Sequence, residues 1–305
     1  MKELFIKRFY IYQKERFPFI ANGILIAIFT FSAISYSRIC RGADGFISLN
    51  SYLIAIFTTI TLFFLLRIFD EFKDKEEDAK YRSHLPVPRG LVSLRELAYL
   101  GIVTAVLQIL FNILFYPKML ILYFAVIVFL LLMGKEFFVA RWLKKHPIMY
   151  VVSHMFIIPL IDIYASGMDW LIEGVDAPHG LLFFFAVSYM NGVVLEFGRK
   201  IKVKENEEFN TYSTQYGANK ATVYWIIILA VTLIFSIIAS SYAGYGKVGA
   251  LILVLIFMLS SLPGFLFLRK KTLKLSKLIE VASGFWTAAM YLTLGGFPML
   301  YSLVS

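Results

Sequence analysis

The chain has 305 residues, of which 59% are hydrophobic and only 16% are charged. This composition excludes a soluble globular domain, in which about a quarter of the residues carry a charge. The formal net charge of +10 does not indicate nucleic-acid binding, because the basic residues fall between long apolar segments and are better explained by orientation in a membrane. The single cysteine, Cys40, excludes an internal disulfide and a cysteine-based zinc site.

Nine apolar segments follow one another along the chain, each about 20 residues long, as a membrane span requires. We expect an all-α membrane protein with a single domain, 1–305, because backbone polar groups in lipid must be satisfied within each segment. The expected spans are 17–37, 46–69, 95–115, 118–135, 147–165, 180–197, 221–242, 247–268 and 281–303.

The connections between these segments differ in charge. Of the 30 Lys and Arg residues, 25 fall on one side of the expected membrane and four on the other. The positive-inside rule therefore predicts a multi-pass protein of the cell membrane with a cytoplasmic N-terminus and an external C-terminus. Two long charged loops, 70–94 and 198–220, fall on the cytoplasmic side, where loops of this length are more often functional than filler. The segment 167–179 is expected outside, with no chemistry.

The first long loop begins with regularly spaced acids, in the sequence RIFDEFKDKEEDAKYRSHLPVPRGLVS at 67–93. Asp70, Asp74 and Asp78 are four residues apart and would share one face of a helix. Three carboxylates on one face repel each other unless a cation lies among them, and Mg²⁺ suits oxygen ligands completed by substrate phosphates. The run predicts a magnesium site for a diphosphate, with Glu71 beside Asp70. A solvated charge run at the membrane surface is the alternative.

Basic residues on the same side could contact the diphosphate. Arg67 lies one helical turn before Asp70, at a depth where an arginine must pair with an acid or an anion. It would contact diphosphate or form a structural ion pair. Arg141, Lys144 and Lys145 precede the fifth span, where they could bind phosphate or reach to lipid headgroups.

The second long loop reads EFGRKIKVKENEEFNTYSTQYG and starts at Glu196. It mixes bases, Arg199 and Lys200, with further acids, Glu205 and Glu208. Such a loop could bind a second metal, contact phosphate oxygens directly, or do both. A solvated surface loop is the alternative.

The fifth span carries two polar residues at membrane depth, His154 and Asp162. They are eight positions apart and share a helix face. They could orient an acceptor or act as an acid/base pair, and a helix–helix hydrogen bond is the alternative.

Nine spans with charged loops after the second and the sixth resemble the UbiA superfamily of intramembrane prenyltransferases. The first motif of that family is NDxxDxxxD. This chain has Asp70-Glu71 where the family has Asn-Asp, and then Asp74 and Asp78 at the matching spacing. The family follows with a Pro-rich turn similar to RPxPSGxxS, and this chain has HLPVPRGLVS at 84–93.

Other parts of the chain extend the resemblance or depart from it. The basic residues at 141–145 resemble the Lys-Arg element before the fifth span, and Arg-Phe-Pro at 16–18 resembles the Arg-Pro start. The second motif departs, because the family commonly has DxxD or DxxxD there. In this chain Glu196 best matches the first acid of that motif, with Glu205 or Glu208 behind it.

The resemblance implies Mg²⁺-dependent transfer of an isoprenyl group from a polyprenyl diphosphate to an aromatic or other lipid-pathway nucleophile within the membrane. The sequence leads us to expect no nucleic acid as a partner, and no obligate protein partner is evident from it. Catalytic roles are expected for Asp70, Asp74, Asp78 and Glu196. The expected metal ligands are Asp70, Glu71, Asp74, Asp78, Glu196, Glu205 and Glu208. The expected diphosphate contacts are Arg67, Lys73, Arg141, Lys144, Lys145, Arg199 and Lys200.

Three other functions are compatible with the sequence: a membrane terpene cyclase on the same scaffold, a multi-span transporter and a non-catalytic membrane scaffold. Diphosphate release that depends on Mg²⁺ would distinguish an enzyme from the last two.

Overall fold

The computed structural model describes residues 4–203 and 211–301, and within these ranges the regular elements are helices. The expected ligands Glu205 and Glu208 lie outside the described residues. The α-helices are α1 Phe5–Arg16, α2 Phe19–Cys40, α3 Leu49–Lys73, α4 Lys75–Tyr81, α5 Leu94–Phe115, α6 Leu120–Gly134, α7 Ala140–Lys145, α8 Pro147–Met155, α9 Ile157–Glu173, α10 Leu181–Arg199, α11 Tyr212–Tyr216, α12 Ala218–Tyr242, α13 Gly246–Arg269, α14 Leu273–Tyr291 and α15 Phe297–Tyr301. Short 3₁₀ helices cover Pro117–Met119 and Glu136–Phe138, and a π-helix covers Leu292–Gly296.

Eight helical stretches in the described part of the chain are long and apolar enough to cross a membrane. They are Phe19–Cys40, Leu49–Lys73, Leu94–Phe115, Pro117–Gly134, Pro147–Glu173, Leu181–Arg199, Ala218–Tyr242 and Gly246–Arg269. These match the first eight expected spans. The ninth expected span, 281–303, falls on α14, the π-helix and α15, and is not among the eight. The count of nine and the orientation of the termini therefore stay predictions.

The helices form one bundle in which α10 packs against α9, α12 and α14. On another side, α2 packs against α3, α9 and the π-helix. Small residues let these backbones approach closely, as they do in other membrane bundles. A Cβ added to Gly295 of the π-helix would lie 2.1 Å from the backbone oxygen of Ser32 on α2. A Cβ added to Gly198 on α10 would lie 2.1 Å from Ser283 Oγ on α14.

The fifth stretch, Pro147–Glu173, is divided into α8 and α9 at Phe156. Pro159 explains the division, since it lacks a backbone N–H and its ring would clash with the carbonyl group four residues earlier, that of Met155. His154 therefore lies in the last turn of α8, next to the break.

The segment 167–179, expected outside and without a role, corrects the expected end of the fifth span. Helix α9 continues to Glu173, and Asp169 is fully buried. The guanidinium groups of Arg38 and Arg41 lie 2.9 and 2.6 Å from Asp169 Oδ1, and both also pair with Glu173. Because two arginines pair with it, the charge of Asp169 can be buried, and these ion pairs connect the end of α2 to α9.

Candidate functional site

Two helix ends come together at what we call the motif end of the bundle, where α3 ends at Lys73 and α10 ends at Arg199. Asp70 on α3 and Arg199 on α10 lie near enough for their charges to interact. The two charged loops that stood out in the sequence therefore begin at neighbouring places in the fold.

The acids of the first motif do not lie on one continuous helix, as their spacing had suggested. Helix α3 ends at Lys73 and α4 begins at Lys75, with Asp74 at the junction. The backbone N–H of Asp74 still donates to the carbonyl of Asp70 at 2.9 Å, and that of Asp78 to Asp74 at 2.8 Å. The helical spacing therefore continues across the junction and keeps the three acids near one another.

Two of the motif acids are buried in ion pairs with arginines. Glu71 Oε1 lies 2.6 Å from Arg16 Nε and 3.2 Å from Arg67 Nη2, and its side chain is 1% exposed. Asp78 lies 3.5 Å from Arg16 Nη2 and 3.1 Å from Arg82 Nη1. Arg16 thus pairs with both acids, so the N-terminal helix α1 contacts the motif directly.

The other two motif acids are less buried than Glu71 and Asp78. Asp70 lies 3.3 Å from Lys73 Nζ and 3.8 Å from Arg67 Nη1. Asp74 makes no ion pair within 4.0 Å among the described residues. Burial raises the pKa of Asp74 to about 6; Lys73 opposes this shift, while the negative charges of Asp70 and Asp78 add to it. A cation beside Asp70 and Asp74 would relieve this unfavourable charge.

At the end of α10, Glu196 is paired within its own helix, with Lys200 Nζ at 2.6 Å and with Arg199. Tyr212 at the start of α11 lies against this helix, with its ring stacked on Phe197 at 4.0 Å between centroids. Lys200 Nζ lies 5.4 Å from the centre of the Tyr212 ring. Burial raises the pKa of Tyr212, and the negative charge of Glu196 adds to the shift.

Helix α8 and the turn before α7 complete the motif end. Lys73 Nζ donates a 2.7 Å hydrogen bond to the Tyr150 hydroxyl. The Tyr150 ring stacks on His154 at 3.9 Å between centroids. His154 Nε2 faces Glu136 Oε2 at 3.2 Å, and Glu136 Oε1 lies 4.0 Å from Lys73 Nζ. Lys73 therefore connects the acidic motif to a second group of polar residues.

The polar residues of the fifth span have separate partners. His154 contacts Glu136 and Tyr150, whereas the Oδ2 atom of Asp162 accepts a 2.5 Å hydrogen bond from Ser188 Oγ on α10. The sequence alternative of a helix–helix hydrogen bond describes Asp162, which is fully buried.

The basic residues before the fifth span lie on α7. Arg141, Lys144 and Lys145 are exposed, while Leu143 between them is buried and anchors this short helix. In the described ranges none of the three basic side chains pairs with an acid within 4.0 Å. They are therefore available to an anion or to lipid headgroups.

The sequence analysis did not predict three residues of the motif end: Glu136, Tyr150 and Tyr212. Tyr150 had a signal, because it precedes His154 by one helical turn and so shares its face. Glu136 had none, since a single glutamate after an apolar run is unremarkable.

A known protein family and two solved structures are similar to this chain. The model of the UbiA prenyltransferase family matches residues 27–287. A search of curated proteins gave no match. A solved structure of a UbiA homologue from Aeropyrum pernix K1 is similar, with a TM-score of 0.65 at 13% identity over 91% of this chain and 98% of that chain. A structure of digeranylgeranylglyceryl phosphate synthase is similar with a TM-score of 0.60 at 14% identity, over 96% of this chain and 99% of that one.

At such low identity, these structural likenesses show the fold alone. The family model covers most of the chain, including the first acidic motif, α8 and the end of α10. On these grounds this multi-pass membrane protein belongs to the UbiA prenyltransferase family.

Proposed function

We propose that the protein transfers an isoprenyl group from an isoprenyl diphosphate to an acceptor within the membrane, with the help of Mg²⁺. The observation that carries this proposal is the group of Asp70, Asp74 and Lys73 at the motif end. Two carboxylates and an ammonium at the end of a membrane helix suit a metal–diphosphate headgroup whose apolar tail lies among the helices.

The ion pairs select which acids would hold the metal. Glu71 and Asp78 are almost fully buried against arginines, so we assign them to the structure of the motif, whereas Asp70, although 3.8 Å from Arg67, is 27% exposed. Asp70 and Asp74 remain as the metal ligands, and Mg²⁺ commonly uses one or two carboxylates and completes its shell with substrate phosphates and water. The oxygen donors and the raised pKa of Asp74 fit this ion. When bound, Mg²⁺ would neutralise charge on the leaving diphosphate.

Basic side chains at the motif end would stabilise the rest of that charge. Lys73 lies beside Asp70, and Arg199 and Lys200 lie at the end of α10. On α7, the exposed side chains of Arg141 and Lys144 could reach an anion. Positive groups fixed where negative charge develops lower the barrier to breaking the C–O bond.

Aromatic side chains at the motif end could protect the allylic cation that forms. Tyr150 on α8 and Tyr212 on α11 lie near each other. Their rings could stabilise a cation by contact with their faces. In a related outcome, a nucleophile within the prenyl chain would capture the cation, and the product would be a cyclic terpene.

The test uses purified protein in nanodiscs with geranyl, farnesyl or geranylgeranyl diphosphate, Mg²⁺ and a membrane extract as the acceptor source. Geranylgeranyl diphosphate is the first donor to try, since one of the similar structures is that of digeranylgeranylglyceryl phosphate synthase. We expect diphosphate release that Asp74→Asn abolishes and that Asp176→Asn, at an exposed site near the other end of the bundle, leaves unchanged. No release from folded wild-type protein with any of the donors would refute the proposal. Mass spectrometry of the product would separate transfer from cyclisation.

A further inference from the structure

A strained turn at the motif end presents a carboxylate that the family motifs do not include. Glu136, Phe137 and Phe138 follow one another with positive φ angles of 50°, 51° and 62°. The left-handed region costs a residue with a side chain about 1–2 kcal/mol. Three such residues in a row persist only where the surrounding structure fixes them, and strain of this kind is concentrated at functional sites.

The contacts around the turn show what fixes it. The Phe137 ring packs on Phe129 at 5.4 Å and edge-on against His154 at 5.7 Å between centroids. With the Phe137 ring held in this position, the Glu136 side chain is directed towards α8 and Lys73. A right-handed continuation of α6 would place these side chains elsewhere, so the strain positions Glu136.

His154 holds one oxygen of the Glu136 carboxylate. Its Nδ1 atom lies 2.9 Å from the carbonyl oxygen of Tyr150, which can only accept a hydrogen bond, so Nδ1 carries a proton. Nε2 faces Glu136 Oε2 at 3.2 Å, and both atoms are buried without an aligned hydrogen-bond partner in the described part of the chain. If Nε2 also carried a proton, a small adjustment would let it donate to Glu136 Oε2, since neither atom has a hydrogen-bond partner in the described part of the chain.

The second oxygen of Glu136 faces Lys73, which belongs to the proposed donor site. Glu136 Oε1 lies 4.0 Å from Lys73 Nζ, the same ammonium that lies 3.3 Å from Asp70. The Glu136 side chain keeps 14% exposure, compared with 5% for His154. It is therefore the member of the pair that a substrate could reach.

We propose that Glu136 is the base that removes the proton from the acceptor, and that His154 positions it. This inference rests on the proposed prenyl transfer. The bond between C1 of the prenyl chain and the diphosphate oxygen breaks, and its electron pair stays with the diphosphate. A lone pair of the acceptor's nucleophilic atom forms the new bond to C1. The proton on that atom passes to Glu136 Oε1, and its bonding pair returns to the acceptor.

This assignment also names the class of acceptor. Its attacking atom carries a proton that must leave, as in an alcohol or a phenol. The neighbouring Lys73 and the Tyr150 hydroxyl could hold a polar group of such a molecule near Glu136. The carboxylate thus separates two roles at the motif end, with Asp70 and Asp74 serving the donor and Glu136 the acceptor.

The experiment measures two outputs from the same reaction in nanodiscs. Protein, geranylgeranyl diphosphate labelled in the prenyl chain, Mg²⁺ and a membrane extract of the expression host are incubated together. Released diphosphate reports ionisation of the donor, and labelled lipid other than prenyl alcohol reports transfer. In Glu136→Gln we expect transfer to fall roughly a hundredfold, the usual size of a general-base contribution. Diphosphate release should fall far less, and prenyl alcohol from capture by water should take the place of the product.

Three further variants make the result specific. His154→Asn keeps a donor for the Tyr150 carbonyl but removes the atom that faces Glu136, so it should lower the ratio of transfer to release. His154→Gln can return a polar atom near the position of Nε2 and should recover part of that ratio. Glu76→Gln, at an exposed position on α4, is the matched control and should leave both outputs unchanged.

Each other outcome counts against the assignment. An unchanged ratio in Glu136→Gln would overturn it, and so would a parallel loss of release and transfer in a variant that remains folded. Wild-type protein that releases diphosphate but yields only prenyl alcohol would overturn the acceptor-base role while leaving donor chemistry intact. Wild-type protein that releases no diphosphate would refute the proposed function and this inference together.

Discussion

Glu71 and Asp74 belong to the same acidic motif, yet only Glu71 is paired with arginines among the described residues, and a pair of amide substitutions can test whether their roles differ. Glu71→Gln removes the charge that two arginines surround. Asp74→Asn removes a charge that has no ion-pair partner among the described residues. We therefore expect Glu71→Gln to lower stability and Asp74→Asn to abolish activity without lowering stability.

The size of the first effect follows from the contacts of Glu71. Its side chain is 1% exposed and lies 2.6 Å from Arg16 and 3.2 Å from Arg67. Removing one partner of a buried ion pair costs about 3–5 kcal/mol. Both arginines keep a second carboxylate, Asp78 and Asp70 respectively, and are 13% and 16% exposed. We therefore expect a smaller loss, about 2–3 kcal/mol.

Thermal unfolding in detergent, followed by tryptophan fluorescence, would measure this difference. A loss of 1 kcal/mol lowers the Tm of a large domain by about 2–4 °C, so Glu71→Gln should lower it by about 4–12 °C. Asp74→Asn should keep the wild-type Tm or raise it, since a half-buried charge is replaced by a neutral group of the same shape. A wild-type Tm for Glu71→Gln, or a lower Tm for Asp74→Asn than for Glu71→Gln, would refute the reasoning.

Three more predictions test other parts of the site. In EDTA, the Tm of the wild type should rise relative to that of Asp74→Asn as the pH falls through about 6. The raised pKa of Asp74 means that the folded protein binds a proton on this carboxyl group more tightly than the unfolded chain does, so protonation stabilises the fold. Parallel curves of Tm against pH for the two proteins would contradict this. Gly198→Ala places a Cβ 2.1 Å from Ser283 Oγ and should cost about 1–3 kcal/mol of stability, whereas Gly284→Ala, with open space around the added Cβ, should cost nothing measurable. Glu196→Gln should reduce turnover at least tenfold, about 1.4 kcal/mol of transition-state stabilisation, because it releases Arg199 and Lys200 from their common partner; an unchanged rate would assign that helix end to the surface.

The positions of the first eight spans could be read from the sequence, because a lipid-spanning helix needs a long apolar run and little else. The end of the fifth span could not. Asp169 and Glu173 mark a loop by composition, and they extend α9 only because Arg38 on α2 and Arg41 directly after it neutralise them. A pairing across more than a hundred residues leaves no local pattern.

The acidic motif also separates what residue spacing predicts from what depends on tertiary packing. The spacing of Asp70, Asp74 and Asp78 was enough to predict that they lie together, and helical backbone bonds across Asp74 keep them so. The spacing could not distinguish their roles, since four acids with the same charge differ only in what packs against them. Arg16 comes from α1, before the first span, and its choice of Glu71 and Asp78 is a matter of tertiary packing.

The class of protein, the helical segments and the acidic motif follow from the sequence alone, because apolar length and residue spacing are local properties of the chain. Which acids are bound by arginine depends on tertiary packing, and so do the approach of Glu136 and Tyr150 to Lys73 and that of His154 to Glu136. The reason is physical: a side chain's charge environment is set by neighbours from several helices. A left-handed turn such as 136–138 is fixed by the packing around it and not by the residues within it.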